Sequence, residues 1–235
     1  MTCLKDKHLA TPLLSAPLAI RSQTLRNRVV LAPMSGVTDL PFRDLAWRFG
    51  AGLVVTEMVA SRELALNARE SWSRIRNCGI RPHMVQLAGR EAHWMAEAAR
   101  IAEGEGADII DINMGCPAKK VIGGYSGSAL MRDPDHALGL IEATVNAVKV
   151  PVTVKMRLGW DHDSLNAPHI ASRAETAGAA MITVHGRTRM QFYEGRADWD
   201  AIRAVRDVLS IPLVANGDVD TAEDAQEILR RSGAD

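Results

Sequence analysis

The strongest constraint on the fold is a repeat: short, almost continuous apolar runs recur about every thirty residues, the length of a strand–helix unit. Such runs suit β-strands that are covered on both faces, as in a parallel sheet. The seven predicted strands are residues 29–32, 53–55, 84–87, 109–112, 152–156, 181–184 and 211–215. Helical patterns rich in Ala, Glu and Arg lie between them, at residues 91–103, 134–148, 167–176 and 222–231. Seven such units favour a (β/α)8 (TIM-type) barrel over an open doubly wound α/β sheet, although periodicity alone leaves both open.

A Gly-Ala pair precedes several predicted strands, at Gly50-Ala51, Gly106-Ala107 and Gly178-Ala179. Glycine commonly ends a helix, so each pair marks the step from a helix into the next strand. The chain closes on the same mark, Gly233-Ala234-Asp235. We therefore expect a lead-in of residues 1–27 and a barrel domain over residues 28–235, with seven of eight strands present.

Composition places the chain among soluble globular proteins, with 47% hydrophobic and 24% charged residues. Lys plus Arg and Asp plus Glu both number 28, so any contact with nucleic acid must come from local patches. Cys3, Cys78 and Cys116 form no pattern typical of disulfides or of a metal site. Pro12 and Pro17 interrupt the apolar start, and no run approaches the roughly 20 residues that span a bilayer. A cytoplasmic protein without a metal is predicted.

The predicted strands end in polar or conformationally special residues. In a parallel barrel, the carboxyl ends of the strands build the active site. In chain order these ends are Ala32-Pro33-Met34-Ser35-Gly36, Thr56-Glu57-Met58, Gln86-Leu87-Ala88-Gly89, Asn113-Met114-Gly115-Cys116-Pro117, Lys155-Met156-Arg157, His185-Gly186-Arg187 and Asn216-Gly217-Asp218. Their convergence predicts an enzyme.

Alternation along the strands indicates which side chains face this site. Successive residues of a strand point to opposite faces, so Thr153, Lys155 and Arg157 share one face of the fifth strand. We expect Lys155 to point into the barrel mouth, although a lysine at a strand end also simply reaches water. Asp111 and Asn113 share a face in the same way.

Cys116 lies in a Gly-Cys-Pro turn directly after a strand. Gly115 permits unusual dihedral angles and Pro117 restricts them, so the turn holds the thiol in a defined place. A thiol in such a position is a candidate nucleophile or proton donor. The alternative is a buried small hydrophobic residue, the more common state of a lone cysteine.

Each remaining candidate has both a functional and a structural interpretation. His185 is either a site residue or a structural histidine. Asn216-Gly217-Asp218 is either an ordinary turn or a close approach of the backbone to a phosphate group. Basic side chains near the mouth are candidates for phosphate contacts or are solvated charges; they are Lys119, Lys120, Arg187 and Arg189.

Five motifs, in this order along the chain, resemble those of bacterial tRNA-dihydrouridine synthases. They are LAPMSGVTDLPFR (31–43), DINMGCPAKKV (111–121), VTVKMRLGW (152–160), HGRTRMQFYEG (185–195) and PLVANGDV (212–219). Any one of them occurs by chance, but five in order on the predicted strand ends are specific. The resemblance extends from about Leu25 to the end of the chain.

This resemblance implies an FMN enzyme that reduces the C5–C6 double bond of particular uridines in tRNA. NADPH, or NADH, first reduces the flavin. Cys116 matches the acid that protonates C5 after the flavin delivers hydride to C6. A barrel mouth cannot reach a stacked base, so the uridine must be flipped out or otherwise exposed.

The resemblance also assigns residues to the cofactor and the substrate. The residues matched to FMN are Pro33, Met34, Ser35, Gln86, Lys155, His185, Asn216, Gly217 and Asp218, of which the last three lie toward the phosphate. Lys155 would favour the anionic reduced flavin. Asn113 matches a residue near the target base, and Arg157 and Arg187 are the further candidates for substrate contacts.

The chain departs from the family pattern after residue 235. The family's eighth strand, with its Gly-Arg phosphate motif, and its C-terminal helical domain are expected to be absent, which would leave unpaired edges on strands one and seven. Two alternatives stay open: a non-catalytic fragment of this enzyme, and another FMN barrel reductase that acts on free pyrimidines.

Overall fold

The computed structural model describes residues 13–77 and 79–235. Cys3 and Cys78 therefore lie outside the described residues. The described strands are β1 (Leu18–Ile20), β2 (Gln23–Leu25), β3 (Val30–Leu31), β4 (Leu53–Val54), β5 (Val59–Ala60), β6 (Met84–Ala88), β7 (Ile109–Met114), β8 (Val152–Arg157), β9 (Ile182–His185) and β10 (Leu213–Asn216). The described helices are α1 (Leu40–Arg48), α2 (Ser61–Ala65), α3 (Arg69–Arg74), α4 (Ala92–Gly104), α5 (Lys119–Ile122), α6 (Pro134–Ala147), α7 (Ala167–Thr176), α8 (Arg203–Arg206) and α9 (Ala222–Ser232), with a 3₁₀ turn at Gly127–Arg132.

All pairings among β3 to β10 are parallel, as the repeat predicts. β10, β9, β8, β7, β6 and β5 form one sheet in that order, and β3 pairs with β4. A single parallel bridge between Val55 and Met84 joins β4 to β6. The predicted (β/α)8-type barrel is confirmed, with seven consecutive strand positions in the described part of the chain.

The predicted second strand is interrupted. Residues 53–55 end in a bridge, and the chain then crosses Thr56, Glu57 and Met58 before it pairs again as β5. The Thr56 hydroxyl accepts a hydrogen bond from the backbone N–H of Gln86 at 3.0 Å. The residues that were predicted to follow strand two, Thr56 to Met58, therefore lie between its two paired segments rather than after its end.

The hairpin β1–β2 closes the amino-terminal end of the barrel. Leu18, Ile20 and Leu25 pack in a core cluster with residues at the beginnings of the barrel strands, including Met84 and Ile109. Three-residue strands carry too little periodicity to be recognised in a sequence, so this hairpin was not predicted within the lead-in. The hairpin leaves the opposite end of the barrel for the site.

The outer core lies between the strands and the helices. Val152, Val154 and Met156 of β8 are buried in it with apolar residues of α4, α6 and α7. The intervening Thr153, Lys155 and Arg157 make their hydrogen bonds inside the barrel instead. This confirms the predicted alternation along the strand.

The Gly-Ala marks act as predicted. Gly50, Gly106, Gly178 and Gly233 each follow a helix and have positive φ angles, between 69° and 103°. A residue with a Cβ is strained in this conformation, which explains why glycine recurs at these steps.

Candidate active site

A cleft of about 650 Å³ opens at the carboxyl ends of the barrel strands. Thirteen of the candidate residues predicted from the sequence line it: Pro33, Met34, Ser35, Gln86, Asn113, Cys116, Lys155, Arg157, His185, Arg187, Asn216, Gly217 and Asp218. The other three candidates, Lys119 and Lys120 on α5 and Arg189 in the loop after β9, lie outside this lining. The volume is in the usual range for small-molecule and cofactor sites. Residues from β3 to β10 thus meet in one place, as the convergence of polar strand ends predicts.

The segment after β3 is held in place by short polar contacts. Thr38 is fully buried, and its hydroxyl accepts a hydrogen bond from the Met34 N–H at 3.0 Å. The Glu57 carboxylate accepts from the Gly36 N–H at 2.6 Å. Pro33, Met34 and Ser35 therefore form a wall of fixed shape on this side of the cleft.

Four buried side chains on β6, β7 and β8 form what we call the amide network: Gln86, Asp111, Asn113 and Thr153. The Asp111 carboxylate accepts from Gln86 Nε2 at 2.7 Å and from the Thr153 hydroxyl at 2.5 Å. Gln86 Oε1 in turn accepts from Asn113 Nδ2 at 2.8 Å. Burial raises the pKa of Asp111, although its two donors and the charge of Lys155 act in the opposite direction.

The turn that carries Cys116 is fixed through its backbone. Asn113 Oδ1 accepts from the Gly115 N–H at 3.2 Å and from the Cys116 N–H at 3.0 Å. The Cys116 carbonyl accepts from the N–H of Ser128 at 3.0 Å and from its hydroxyl at 2.9 Å. The thiol is partly buried and lines the cleft. Cys116 is thus presented on a rigid turn, in contrast to the expectation for an ordinary core cysteine.

Lys155 crosses the barrel. Its Nζ donates to Asn216 Oδ1 at 3.1 Å, which joins β8 to β10. No carboxylate in the described part of the chain lies within ion-pair distance of this ammonium group. Burial lowers the pKa of Lys155 to about 8, although the Asp111 charge raises it in part. The group is therefore a cation at neutral pH with donor capacity left for a ligand.

Arg157 is only 2% exposed. Its Nε donates to the Gly115 carbonyl, and its Nη1 donates to the carbonyls of Thr188 and Phe192, all at 2.8 Å. These bonds tie the Cys116 turn to the loop after β9. The structure thus brings Arg157 to the cleft but directs these hydrogen bonds to the protein backbone.

Arg187, Asp218 and His185 form a second polar cluster at the ends of β9 and β10. Arg187, 6% exposed, makes two hydrogen bonds with the Asp218 carboxylate, at 2.7 and 2.8 Å. Burial would raise the pKa of Asp218, but the Ala197 N–H and Arg187 outweigh it and hold that pKa below its usual value. The cluster is charged, whereas three of the four members of the amide network are neutral.

His185 is neutral at physiological pH. Burial lowers its pKa to about 3, and the positive charges of Lys155, Arg157 and Arg187 add to the effect. Its Nε2 lies 3.3 Å from Arg187 Nη1. Since a guanidinium group only donates, Nε2 is the acceptor, and the ring proton is on Nδ1.

Gly217 and Asp218 follow β10 with positive φ angles, 118° and 54°. A Cβ on Gly217 would lie 2.8 Å from the His185 ring, so only glycine fits between the two elements. The Gly217 carbonyl accepts from Trp199 Nε1 at 2.8 Å. This is a close-packed backbone corner rather than an exposed turn.

Several contributors to the site were not among the predicted site residues. Asp111 was recognised only as sharing a face with Asn113, because a sequence does not show that a carboxylate is hydrogen-bonded from two sides. Thr38 and Glu57 act through backbone contacts, which leave no pattern in a sequence. Phe192 and Tyr193 line the cleft with 43% and 65% exposure. Their signal in the sequence is only that they are adjacent aromatic residues within the motif at residues 185–195.

The described residues provide neither a metal-ligand cluster nor a membrane-spanning helix. Within residues 13–77 and 79–235, no group of three or more His, Cys, Asp or Glu side chains is placed to hold a metal ion. No helix in that same part of the chain is both long enough and apolar enough to cross a membrane.

The chain is similar to known proteins in sequence and in fold. It is 81% identical over 212 residues to a probable tRNA-dihydrouridine synthase of Rhizobium leguminosarum bv. phaseoli, covering 90% of this chain and 67% of that protein. It is 61% identical over 220 residues to a probable tRNA-dihydrouridine synthase of Rhodobacter capsulatus, covering 92% and 68%. It thus spans about two thirds of these relatives.

The fold is shared more widely. The structure of histamine dehydrogenase from Rhizobium sp. 4-9 matches 94% of this chain and 44% of that chain, with a TM-score of 0.72 at 14% sequence identity. Identity at this level supports the barrel fold alone. The profile of the dihydrouridine synthase (Dus) family matches residues 30–235. The chain belongs to the dihydrouridine synthase family.

Proposed function

We propose that this chain carries the cofactor-binding and catalytic part of an enzyme that reduces the C5–C6 double bond of uridines in tRNA to 5,6-dihydrouridine. The observation that carries the proposal is the cleft itself, where the Cys116 thiol, the Lys155 ammonium and the amide network face one cavity. FMN, when bound, supplies the hydride for C6, after reduction by NADPH or NADH. A tRNA substrate implies a cytoplasmic enzyme.

The residues present fit the ring of a flavin. A flavin ring is planar and apolar, with hydrogen-bonding groups along one edge. The fixed wall of Pro33, Met34 and Ser35 suits its plane, and Gln86 and Lys155 suit its polar edge. Among the described residues Lys155 has one hydrogen-bond acceptor, Asn216, and its charge matches an anionic reduced ring.

The residues also fit one side of a phosphate group. The backbone N–H groups of Gly217 and Asp218 make no hydrogen bond to another of the described residues. Successive backbone N–H groups at a turn form anion-binding concavities, and Gly217 and Asp218, both with positive φ angles, lie at such a turn. Asn216, Gly217 and Asp218 would hold a phosphate by their backbone, while the Asp218 carboxylate is neutralised by Arg187.

In the proposed reaction, Cys116 holds the proton that is transferred to C5 of the uracil. The fixed backbone of its turn keeps the thiol in one position, and Asn113 lies beside it for contact with the base. Arg157 and Arg187, predicted as substrate residues, are engaged by backbone carbonyls and by Asp218. We propose that both mainly hold the loops that receive the RNA, and that His185, as a neutral donor at Nδ1, contacts the cofactor.

A comparison of substrates tests this function. The full-length protein, loaded with FMN and supplied with NADPH, is incubated with undermodified tRNA or with free uracil, and dihydrouridine and dihydrouracil are measured. We expect dihydrouridine in tRNA and no reduction of the free base. Reduction of uracil with no change in tRNA would instead support a free-pyrimidine reductase, and no reduction of either would support a non-catalytic role.

A further inference from the structure

Asp111 is a buried carboxylate to which the proposed reaction assigns no chemical step. It is 1% exposed, and its two oxygens accept hydrogen bonds from Gln86 and Thr153. A carboxylate accepts from an amide through its NH2 group only, so Gln86 must turn Nε2 toward Asp111. Gln86 Oε1 is thereby directed to the opposite side, toward Asn113.

The same constraint passes through Asn113. Because Gln86 presents an oxygen, Asn113 must present Nδ2 to it and keep Oδ1 for the N–H groups of Gly115 and Cys116. Turning either amide over would place two acceptors or two donors in contact. Gln86, Asp111 and Asn113 are all no more than 7% exposed, so mismatched groups would be largely shielded from water.

We propose that Asp111 is a positioning residue: its carboxylate sets the hydrogen-bonding direction of Gln86 and Asn113, and through them holds the backbone of the Cys116 turn. The bonds run from β8 through β7 and β6 and back to the turn after β7. The proposal deepens the proposed function, and rests on it only in taking Cys116 as the reacting group.

The test exchanges the amide and the carboxylate between positions 86 and 111, which are joined by a hydrogen bond. In Gln86→Glu, two carboxylates face each other, so one must take up a proton or move away. In the double variant Gln86→Glu with Asp111→Asn, the amide introduced on β7 donates to the carboxylate introduced on β6 and accepts from Thr153. That carboxylate still accepts from Asn113, so every bond of the amide network can form again. Asp111→Asn alone keeps both partners of residue 111 if the Thr153 hydroxyl remains the donor to the new amide oxygen and Gln86 turns its own oxygen toward the new NH2 group. Gln86 Nε2 then faces Asn113 Nδ2, so the bond between Gln86 and Asn113 is lost unless Asn113 also turns.

The readout is hydrogen exchange at the backbone N–H groups of Gly115 and Cys116, measured at neutral pH in the full-length protein loaded with FMN. We expect Gln86→Glu to speed this exchange about tenfold or more, the effect of losing a charge-assisted hydrogen bond. The double variant should return within about threefold of the wild type, and Asp111→Asn alone should fall between the two, because it removes the constraint on Gln86 without adding a charge. Exchange in α7 should stay constant in all variants.

The pH dependence separates positioning from a general loss of packing. Two facing carboxyl groups share a proton at low pH and repel each other when both are ionised, so the defect in Gln86→Glu should grow as pH rises. The double variant should not show this increase. The matched control is Gln191→Glu. Gln191 lies outside the amide network, and its side-chain oxygen accepts a hydrogen bond from the Thr188 N–H. Adding Asp111→Asn should not change the effect of Gln191→Glu.

The outcomes are decisive in either direction. Rescue of Gln86→Glu by Asp111→Asn supports the proposal, including the case in which only the double variant is soluble. Additive effects, or failure of both variants to fold, overturn it. The exchange measurement needs neither tRNA nor turnover, so a failed assignment of Cys116 as the acid leaves this test unaffected.

Discussion

The two sides of the cleft are built with different chemistry. On β6, β7 and β8, the amide network joins neutral side chains to one buried carboxylate through directional hydrogen bonds. At the ends of β9 and β10, a charged pair between Arg187 and Asp218 holds the loops together. The hydrogen bonds of the amide network fix which way each amide group points, whereas the two hydrogen bonds of the ion pair hold the ends of β9 and β10 together. The first side is therefore suited to recognising a polar ring edge, and the second to anchoring a backbone corner.

Lys155 connects the two sides, since it extends from β8 to Asn216 at the end of β10. Three variants test whether the two sides of the cleft have these different roles. The largest loss of stability is expected on the charged side.

Arg187→Met should lower the free energy of unfolding by about 2–3 kcal/mol, because it leaves the partly buried Asp218 carboxylate without its counter-charge. Denaturant unfolding without FMN measures the change. The matched control is Arg48→Met, which removes an exposed partner of Asp44 on α1 and should cost at most about 0.5 kcal/mol. Equal effects of the two substitutions would mean that the charged side is not a structural anchor.

Lys155→Met should raise the stability of the FMN-free protein and weaken the cofactor site. Burial lowers the Lys155 pKa from 10.5 to about 8, so the charged form costs stability at neutral pH. Its removal should add about 1–2 kcal/mol, after allowance for the lost bond to Asn216. FMN affinity should fall about tenfold or more, the loss of one charge-assisted hydrogen bond.

The sign of the pH effect also follows. Between pH 8 and 10.5 the unfolded chain holds the lysine proton that the folded chain has lost, so stability rises with pH in the wild type relative to Lys155→Met. Lys149→Met, at an exposed lysine, serves as the control. If Lys155→Met destabilised the FMN-free protein and kept its FMN affinity, Lys155 would be a structural residue.

His185→Gln should have the smallest effect at neutral pH, because the histidine is already neutral there. Its folded pKa is about 3 and its ordinary value is 6.5, so the unfolded chain binds a proton first as pH falls. The wild type should therefore lose stability between pH 6.5 and 3 relative to the variant. Acid unfolding measures the difference, with the exposed His136→Gln as control; parallel curves for wild type and His185→Gln would contradict a buried neutral imidazole.

The strand–helix order and the direction of the strand-end side chains were predictable because both depend on short sequence periods. Lys155 and Asn113 were placed correctly in the cleft for this reason. The hydrogen-bond partners of Arg157 were not predictable. Near a barrel mouth, a basic residue that binds a ligand and a basic residue that binds backbone carbonyls occupy the same position in the sequence pattern, at the end of a strand. Asp111 was recognised only as sharing a face with Asn113, for a related reason: its contacts are with β6 and β8, which periodicity along β7 does not reveal.

The most direct test of the proposed chemistry is rapid mixing of the NADPH-reduced, FMN-loaded full-length protein with undermodified tRNA. Reoxidation of the flavin is followed for the wild type and for Cys116→Ala. We predict that Cys116→Ala is reduced by NADPH at the normal rate and binds tRNA normally. Its flavin should be reoxidised by tRNA about 10² to 10⁴ times more slowly, the usual contribution of a general acid. Reoxidation at the wild-type rate, with normal yield of dihydrouridine, would contradict the role of Cys116.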